Sequence, residues 1–429
     1  MIHGPVTLLT VWYEGAERRR VGRLASRERR ILFEYDPSFV ASGIEISPFE
    51  LPLKTGVMEP RRDLFDGLFG VFGDSLPDGW GRLLLDRAVE RHGIARGQLG
   101  PLDRLAFVGR HGMGALSYEP DHSGELAGEE GQGGRKKRKG AAHGKKNDAD
   151  SSISLDRIAE ESRIVLAGDS EEIFDELLRL NGSSGGARPK IVAQVSPDRK
   201  RIIHGGDLLS PDYEHWMIKF ASSQDERDGG AIEYAYSLMA AAAGVDVPPT
   251  HLFRTRRGGY FGTRRFDREG DRRIHMHSLA GLIGADYRHP SLDYDTYLKT
   301  VMVLTRNMVE VEKAYALACF NILAHNRDDH ARNFSFLLGE DRQWALAPAY
   351  DLTFSNGPNG EQSMLLLGEG RAPGVEGLTE LGRKHGIKRA RQILERVQSA
   401  VAQWLEFSKQ AGVTKKSASL IGKALGAKA

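Results

Sequence analysis

The sequence has almost no cysteine and no long hydrophobic run. Cys319 is the one cysteine in 429 residues, so an intramolecular disulfide is excluded, and its Ala and Leu neighbours predict a buried structural thiol. No apolar stretch reaches the roughly 20 residues that a membrane-spanning helix needs. The first 15 residues lack the basic region and small-residue cleavage site of a signal peptide. We therefore expect a soluble cytoplasmic protein that does not contact a membrane.

An excess of one charge sign is also missing. Sixty Lys and Arg face 58 Asp and Glu, which gives a formal charge of +2 and no global case for nucleic-acid binding. The local exception is the basic run at 135–139, inside a Gly-rich and charged segment without aliphatic periodicity. Such a segment cannot bury enough surface to order itself, so a disordered linker or insertion is favoured over a nucleic-acid contact.

The order of periodic segments indicates the domain organisation. Alternating apolar and polar residues before the linker predict short antiparallel strands, followed by a helix after the turn Pro77-Asp78-Gly79. A Gly-rich loop, strands and one helix come after the linker, and the remainder is mostly helical by period. We predict an α+β fold divided into an N-terminal subdomain, a disordered basic linker, a nucleotide-binding N-lobe and a helical C-lobe, at 1–120, 121–152, 153–263 and 264–429.

The most informative stretch is residues 320–353. A helix is predicted to run to about Asn326, and the polar segment after it breaks the helical pattern. Two short strand-like runs at 334–338 and 343–347 predict a β-hairpin, which returns its end to its beginning. Asn333 and Asp351 should therefore lie near one another, with Asp328 and His330 in the same loop.

This combination of side chains suits phosphoryl transfer. That reaction needs a carboxylate to accept the hydroxyl proton, and an Asn and a second carboxylate to hold Mg²⁺ against the phosphates. Asp328 and Asn333 match the kinase pattern D-x-x-x-x-N, and Asp351 supplies the second carboxylate. The spacing alone is a weak signal, because charged loops produce it by chance, but the hairpin and Asp351 strengthen it.

Two further segments offer phosphate-binding groups. Lys219 lies in a strand-like run, where its partner is either a phosphate or solvent reached from an edge strand. Glu233, early in the following helix, can pair with it as kinase lobes require. The loop at 181–190 offers backbone N–H groups that can hold an anion, although it matches neither the P-loop nor the G-x-G-x-x-G spacing.

Several segments together resemble the HipA family of kinases. They are the loop GGARPK at 185–190, MIKF at 217–220, RRFDR at 264–268, NRDDHARNFSF at 326–336 and LAPAYDLT at 346–353. The resemblance implies a bilobal protein-kinase-like fold with a small β-rich N-terminal subdomain and a mainly helical C-terminal lobe. It also implies an ATP- and Mg²⁺-dependent protein serine/threonine kinase, the toxin of a toxin–antitoxin pair.

The resemblance assigns roles to individual residues. Asp328 would be the catalytic base, Asn333 and Asp351 the Mg²⁺ ligands, and Lys219 the contact to the α- and β-phosphates. The remaining nucleotide contacts would come from His330, from Arg265 and Phe266 at the adenine hinge, from Asp267 at the ribose, and from Lys190 with the Gly185-Gly186 loop over the triphosphate. A protein substrate such as an aminoacyl-tRNA synthetase and a helix-turn-helix antitoxin would be the partners, with DNA reached only through the antitoxin.

Two positions depart from the family pattern. Arg264 stands where family members often carry Glu at the hinge, so a side-chain contact from that position is in doubt. In some HipA proteins a serine of the Gly-rich loop is autophosphorylated and ejects the loop. The matching position here is Gly185, and Ser183 and Ser184 just before it are the candidates for a shifted switch.

Two other readings stay open. The set His325, Asp328, Asp329 and His330 resembles the ligands of a metal-dependent phosphohydrolase. Such enzymes commonly carry an adjacent His-Asp pair on a helix, whereas here the order is reversed and lies in a loop. The second alternative is a pseudokinase that holds only nucleotide or a partner. The presence of Asp328, Asn333 and Asp351 favours a catalyst over that module.

Overall fold

The computed structural model of the chain describes residues 5–28, 30–91, 96–121, 152–167, 177, 188–205, 208–221, 228–288 and 292–427. The predicted loop residues Ser183, Ser184, Gly185 and Gly186 lie outside the described residues, as does the basic run at 135–139. Within the described part, helices and strands alternate in one mixed α and β architecture, as expected for an α+β fold.

The N-terminal unit is built on a five-stranded antiparallel sheet. Its strands are β1 (Leu8–Glu14), β2 (Arg18–Arg27), β3 (Arg30–Tyr35), β4 (Val57–Met58) and β5 (Leu116–Pro120), in the order β4-β3-β2-β1-β5. Apolar and polar residues alternate along β3, so Ile31, Phe33 and Tyr35 are buried on one face. The strands predicted from this alternation are present.

Four helices complete the N-terminal unit. They are α1 (Pro37–Ser42), α2 (Gly70–Gly73), α3 (Gly79–Arg91) and α4 (Pro101–Val108). Phe39, Phe72 and Leu105 from three of these helices share one apolar core with the sheet. Helix α3 follows the predicted turn and packs elsewhere, because Trp80 and Leu84 belong to the core of the next unit.

The N-lobe has a second five-stranded antiparallel sheet. Its strands are β6 (Lys190–Val195), β7 (Ile202–His204), β8 (Glu214–Lys219), β9 (Thr250–Arg254) and β10 (Gly259–Arg264), in the order β7-β6-β8-β10-β9. Helices α5 (Leu155–Ala167) and α6 (Gly229–Ala242) belong to the same lobe. Lys190 and Lys219 are direct cross-strand neighbours, so the sheet presents two ammonium groups side by side.

The C-lobe combines short strands with a helical bundle. The strands are β11 (Arg268–Glu269), β12 (Arg272–Arg273), β13 (His275–Ser278), β14 (Leu292–Asp293), β15 (Ser335–Leu338), β16 (Trp344–Leu346) and β17 (Met364–Leu365). The helices are α7 (Leu279–Ile283), α8 (Tyr294–Thr305), α9 (Met308–Leu323), α10 (Val375–Lys384), α11 (Ala390–Ala402), α12 (Trp404–Ala411) and α13 (Lys415–Leu425). No helix in the described part of the chain has the length and apolar character to cross a membrane.

Helix α9 forms the centre of the C-lobe core. Cys319 lies on this helix and is fully buried, and burial raises the pKa of its thiol to about 12. Asn307 caps the start of the helix by accepting a hydrogen bond from the Val309 N–H at 2.9 Å. The helix ends at Leu323, a few residues before the predicted end, because His325 adopts a left-handed backbone conformation with φ of 50°.

The predicted hairpin follows the polar loop at 326–333. Strands β15 and β16 pair antiparallel, with Phe336 opposite Leu346, and β13 adds a third strand on the other side of β15. The third strand was not predicted from the sequence. It brings the segment 275–278 beside the residues that follow Asn333.

Candidate active site

A cavity of about 540 Å³ lies where the N-lobe sheet, the hairpin and the N-terminal unit meet. Its lining includes most of the residues predicted from the sequence: Lys190, Lys219, Arg265, Phe266, Asp328, His330, Asn333 and Asp351. Asn333 and Asp351, which flank the hairpin, both line this cavity. Residues from all three units form its walls.

Lys219 is the centre of the charged part of the cavity. Its ammonium group lies 2.5 Å from the Glu233 carboxylate and also contacts the Asp351 carboxylate. Burial would lower the pKa of Lys219, but Asp351 and Glu233 outweigh burial and raise it above its ordinary value. The lysine is therefore a fixed positive charge, and the edge-strand alternative is wrong because the side chain is only 9% exposed.

Asp351 comes just after the hairpin in a left-handed conformation with φ of 54°, which Asp tolerates better than most residues. Burial would raise the pKa of its carboxyl, but Lys219 and Lys190 hold that pKa well below the usual range. The neighbouring Tyr350 ring packs against Phe266, with centroids 5.6 Å apart. Asp351 is thus an ionised carboxylate held at the cavity wall by two lysines.

The loop between α9 and β15 carries Asp328, His330 and Asn333. The Asn333 side-chain amide donates a hydrogen bond to the Asp328 backbone carbonyl at 2.7 Å, which closes the loop. The Asp328 carboxyl is 62% exposed to the cavity, and His330 Nε2 lies 4.0 Å from it. Partial burial raises the pKa of this carboxyl, while His330 acts in the opposite direction. A raised pKa favours proton acceptance.

Asp329, the next residue, points the other way and is 1% exposed. Its carboxylate accepts hydrogen bonds from the Tyr294 hydroxyl at 2.6 Å and from the Ser363 N–H at 2.8 Å. Asn321 in turn donates to the Tyr294 hydroxyl at 3.1 Å. Asp329 therefore anchors the loop to the C-lobe while Asp328 faces the cavity.

The structure does not support the expected ribose contact from Asp267. This carboxylate is fully buried and accepts hydrogen bonds from Arg265 at 2.7 and 2.9 Å, from Arg268 at 2.6 Å and from the Gly114 N–H at 2.8 Å. Both of its oxygens are engaged, and the residue does not line the cavity. Arg265 lines the cavity wall, but its guanidinium group binds Asp267 and is 4% exposed.

Arg264, which stands where HipA proteins often carry Glu, pairs with a neighbouring strand. Its guanidinium group forms an exposed ion pair with Glu214 at 2.8 Å on the neighbouring strand. Its backbone N–H donates to the Pro249 carbonyl at 2.9 Å, as part of the sheet edge. The side chain therefore stabilises the strand pair.

The structure separates the four residues of the phosphohydrolase reading. Asp328 and His330 line the cavity, but Asp329 is sealed below the loop, and the His325 ring stacks on Phe354 with centroids 6.4 Å apart. Among the described residues, no group of three or more His, Cys, Asp or Glu is close enough to hold a metal ion. The Asn333 amide and the Asp351 carboxylate instead offer the hard oxygen ligands that Mg²⁺ prefers.

Sequence reasoning missed the contribution of the N-terminal unit. Asp74 and Asp78 line the cavity, and Asp78 forms an ion pair at 2.6 Å with Arg332, which lies in the loop between α9 and β15. These two residues lie 254 positions apart, so no local pattern connects them. The one signal in the sequence was the turn Pro77-Asp78-Gly79, which predicts a helix start and says nothing about its partner.

Known proteins resemble the chain over nearly its whole length. A family model described as the HipA N-terminal domain matches residues 9–119, and one described as the HipA-like C-terminal domain matches residues 182–405. The HipA structure solved with HipB and operator DNA, from a Shewanella oneidensis MR-1 toxin–antitoxin system, superposes with a TM-score of 0.65. That match has 16% identity and covers 97% of this chain and 95% of that one.

Two weaker matches concern proteins named as kinases. The Sinorhizobium fredii protein named "Putative kinase Y4dM" is 26% identical over 153 residues, which are 32% of this chain and 36% of that protein's length. The Helicobacter pylori proinflammatory kinase CtkA covers 54% of this chain and 96% of its own, with 12% identity and a TM-score of 0.33. A score that low supports no inference about the fold.

Proposed function

Because this chain belongs to the HipA family, we propose that it is an ATP-dependent protein serine/threonine kinase that acts as the toxin of a toxin–antitoxin pair. The observation that carries the proposal is the ion pair of Lys219 with Glu233 on a cavity that also contains Asp328, Asn333 and Asp351. Kinase lobes use a strand lysine paired with a helix glutamate to hold the phosphates.

Each cavity residue has a role in this reaction. Glu233 holds the Lys219 ammonium in place. The α- and β-phosphates of ATP would then bind this ammonium group and compete with the Asp351 carboxylate for it. Asp328 would accept the proton of the attacking serine or threonine hydroxyl, which is the task of a general base with a raised pKa. His330 and Phe266 line the same cavity and would contact the nucleotide.

Asn333 and Asp351 would hold Mg²⁺, which when bound neutralises negative charge on the phosphates. Lys190 lies beside Lys219 on the neighbouring strand and would contact the triphosphate, with Gly185 and Gly186 in the loop before it. Autophosphorylation at Ser183 or Ser184 stays a prediction.

The partners follow from the same family membership. The HipA match was solved in complex with HipB and operator DNA. We propose a helix-turn-helix antitoxin as the partner of this chain and a cytoplasmic protein, such as an aminoacyl-tRNA synthetase, as its substrate. Because the formal charge of +2 gives no global electrostatic case for direct DNA binding, we propose contact with DNA only through the antitoxin.

The test is transfer of labelled γ-phosphate from ATP with Mg²⁺, with the purified protein alone and with a cell lysate. Wild type should label itself or a lysate protein, and Asp328→Ala should lower turnover by about 10² or more through loss of the base. The matched control is Asp341→Ala, which removes an exposed carboxylate in the turn of the same hairpin and should leave turnover unchanged.

The two competing outcomes are distinct. Binding of Mg·ATP to wild type without any transfer would favour the pseudokinase. Equal turnover in wild type and Asp328→Ala would contradict the assignment of the base while leaving the kinase in place.

A further inference from the structure

Arg332 lies in the catalytic loop, between Asp328 and Asn333, but its side chain reaches out of the C-lobe. Its guanidinium group donates to the Asp78 carboxylate at 2.6 Å and to the Gly73 carbonyl at 2.8 Å, both in the N-terminal unit. It also lies over the Tyr287 ring, 4.6 Å from the centroid. The side chain is 14% exposed, so it is a largely buried charge with defined partners.

The backbone of Arg332 is fixed at the opposite end. Its carbonyl accepts a hydrogen bond from the Tyr350 hydroxyl at 2.7 Å, and Tyr350 directly precedes Asp351. The Tyr350 hydroxyl also lies 2.6 Å from the Ser335 hydroxyl at the start of the hairpin. Tyr350 therefore links the Arg332 backbone to the residue before Asp351 and to Ser335, two residues after Asn333.

A second joint holds the same two units together next to this contact. Asp74 accepts hydrogen bonds from the Ser278 N–H at 2.7 Å and the Ser278 hydroxyl at 2.6 Å, and His277 Nδ1 lies 2.6 Å from its carboxylate. Ser47 lies 3.0 Å from His277 Nε2, which completes the spacing of a Ser-His-Asp triad. Because Ser47 is 1% and His277 0% exposed, the Ser47 hydroxyl is inaccessible to a substrate, and the three residues form a buried contact between the two units.

The backbones of the two units touch at this joint. A Cβ atom added to Gly70 of α2 would lie 2.1 Å from the Gly281 carbonyl of α7, so only glycine permits the approach. The Leu279 N–H at the start of α7 donates to the Phe334 carbonyl at 2.8 Å, immediately after Asn333. The N-terminal unit is therefore packed against the element that borders the catalytic loop.

We propose that Arg332 is a positioning residue of the catalytic loop, and that the N-terminal unit sets the loop geometry by holding its guanidinium group through Asp78 and the Gly73 carbonyl. The inference rests on the proposed kinase function. Breaking the Asp78 contact removes a carboxylate that accepts a hydrogen bond from Arg332 and leaves the nearby Asp74 to balance its charge, so the guanidinium group and its loop shift. A shift of the base by about 1 Å can cost up to roughly 10²-fold in rate.

The test compares Asp78→Asn, Arg332→Met and the double variant in phosphate transfer. We expect each single variant to lower kcat about tenfold with KM for ATP changed less than about twofold, and the double variant to lose no more than either single one. Arg332→Lys, which keeps the charge, should recover part of kcat. The matched control is Arg62→Met, which removes another contact between the two units, to the Gly284 carbonyl at 3.0 Å, away from the loop.

A second readout does not depend on activity. The Asn333 N–H donates to the His330 carbonyl at 2.8 Å, so amide hydrogen exchange of residues 328–335 reports on the order of the loop. Exchange there should become faster in Asp78→Asn and Arg332→Met and stay unchanged in Arg62→Met. Additive losses of kcat, an equal loss in Arg62→Met, or unchanged exchange in Asp78→Asn would overturn the proposal.

The two readouts separate this inference from the proposed function. A wild type without phosphate transfer would end the kinase assignment and with it the catalytic role of Arg332, while exchange would still decide whether Asp78 orders the loop. A wild type with transfer, together with unchanged exchange and kcat in Asp78→Asn, would overturn the positioning role alone.

Discussion

Two clusters of acidic and basic side chains in this molecule use the same groups in opposite ways. The open cluster, Lys219 with Glu233 and Asp351, lines the cavity, and the Asp351 side chain is 37% exposed. The sealed cluster, Asp267 with Arg265 and Arg268, is closed to solvent, and Asp267 is 0% exposed. Two cations lie near the ionised carboxylate in each case, Lys219 and Lys190 for Asp351 and Arg265 and Arg268 for Asp267. Only the open cluster is accessible to a ligand.

The difference lies in what surrounds each carboxylate. Arg268 donates to the Gly112 carbonyl at 3.0 Å while Asp267 accepts from the Gly114 N–H, so the sealed cluster joins a loop of the N-terminal unit to the kinase-like lobes. Burial would raise the pKa of Asp267, but Arg265 and Arg268 hold it well below the usual range. A buried charge pair whose hydrogen bonds are all satisfied within the protein is costly to break and is not available to a ligand.

The largest expected effect comes from breaking the sealed cluster. Asp267→Asn should lower the free energy of unfolding by about 3–5 kcal/mol, because it leaves buried arginine charges uncompensated. Urea denaturation followed by fluorescence measures this loss. The control is Glu269→Gln, whose exposed ion pair with Arg272 should contribute under about 1 kcal/mol. Equal losses in the two variants would remove the distinction between the clusters.

A substitution in the open cluster should weaken nucleotide binding and leave the free energy of unfolding nearly unchanged. Asp351→Asn keeps the shape and tolerates the left-handed backbone, but it removes the charge that would hold Mg²⁺. We expect the Kd for ATP in the presence of Mg²⁺ to rise about 10- to 100-fold, which corresponds to about 1.4–2.7 kcal/mol. Calorimetric titration with and without Mg²⁺ measures the change in Kd, and the Mg²⁺ dependence expected of the wild type should vanish in the variant. A retained Mg²⁺ dependence would exclude Asp351 as a ligand.

The smallest expected effect is on the pH dependence of stability, and it comes from the buried His275. His275 is 1% exposed, its Nε2 lies 2.8 Å from the Ile46 carbonyl, and burial lowers its pKa to about 4. A His whose pKa is depressed on folding binds fewer protons in the native state, so stability falls as pH drops from about 6.5 toward 4.

We expect a loss of about 1–2 kcal/mol in the free energy of unfolding between pH 7 and pH 5 from this residue. Urea denaturation at the two pH values measures it, with His275→Phe as the comparison. The variant should show a smaller loss over this range. The same pH dependence in both proteins would contradict the assignment to His275.

The sequence predicted the parts of the site that are close in the chain. A hairpin returns to its start whatever surrounds it, so Asn333 and Asp351 reach the same cavity, and helix periodicity put Asp328 in a loop. The roles of these residues in catalysis stay predictions. Lys219 of β8 and Glu233 of α6 also form their pair, only 14 positions apart.

The rest depends on contacts between distant segments. Asp267 meets Gly114 across 153 positions, and that contact turned an expected ribose ligand into part of an interface. Asp328 and Asp329 are adjacent and chemically identical, and distant partners such as Tyr294 and Ser363 determine which one is buried. Local patterns contain no information about such partners.

The isolated thiol in helix α9 makes this chain convenient for spectroscopic labelling. Cys319 is fully buried, and with a pKa of about 12 almost none of it is thiolate at neutral pH. Maleimide dyes and thiol-reactive spin labels should therefore not react with it. Cysteines introduced at exposed positions of the N-terminal unit and the C-lobe would then be the reactive ones without removal of the natural residue. A pair of probes placed that way would report distances between the two units in the intact protein, as nucleotide or a partner is added.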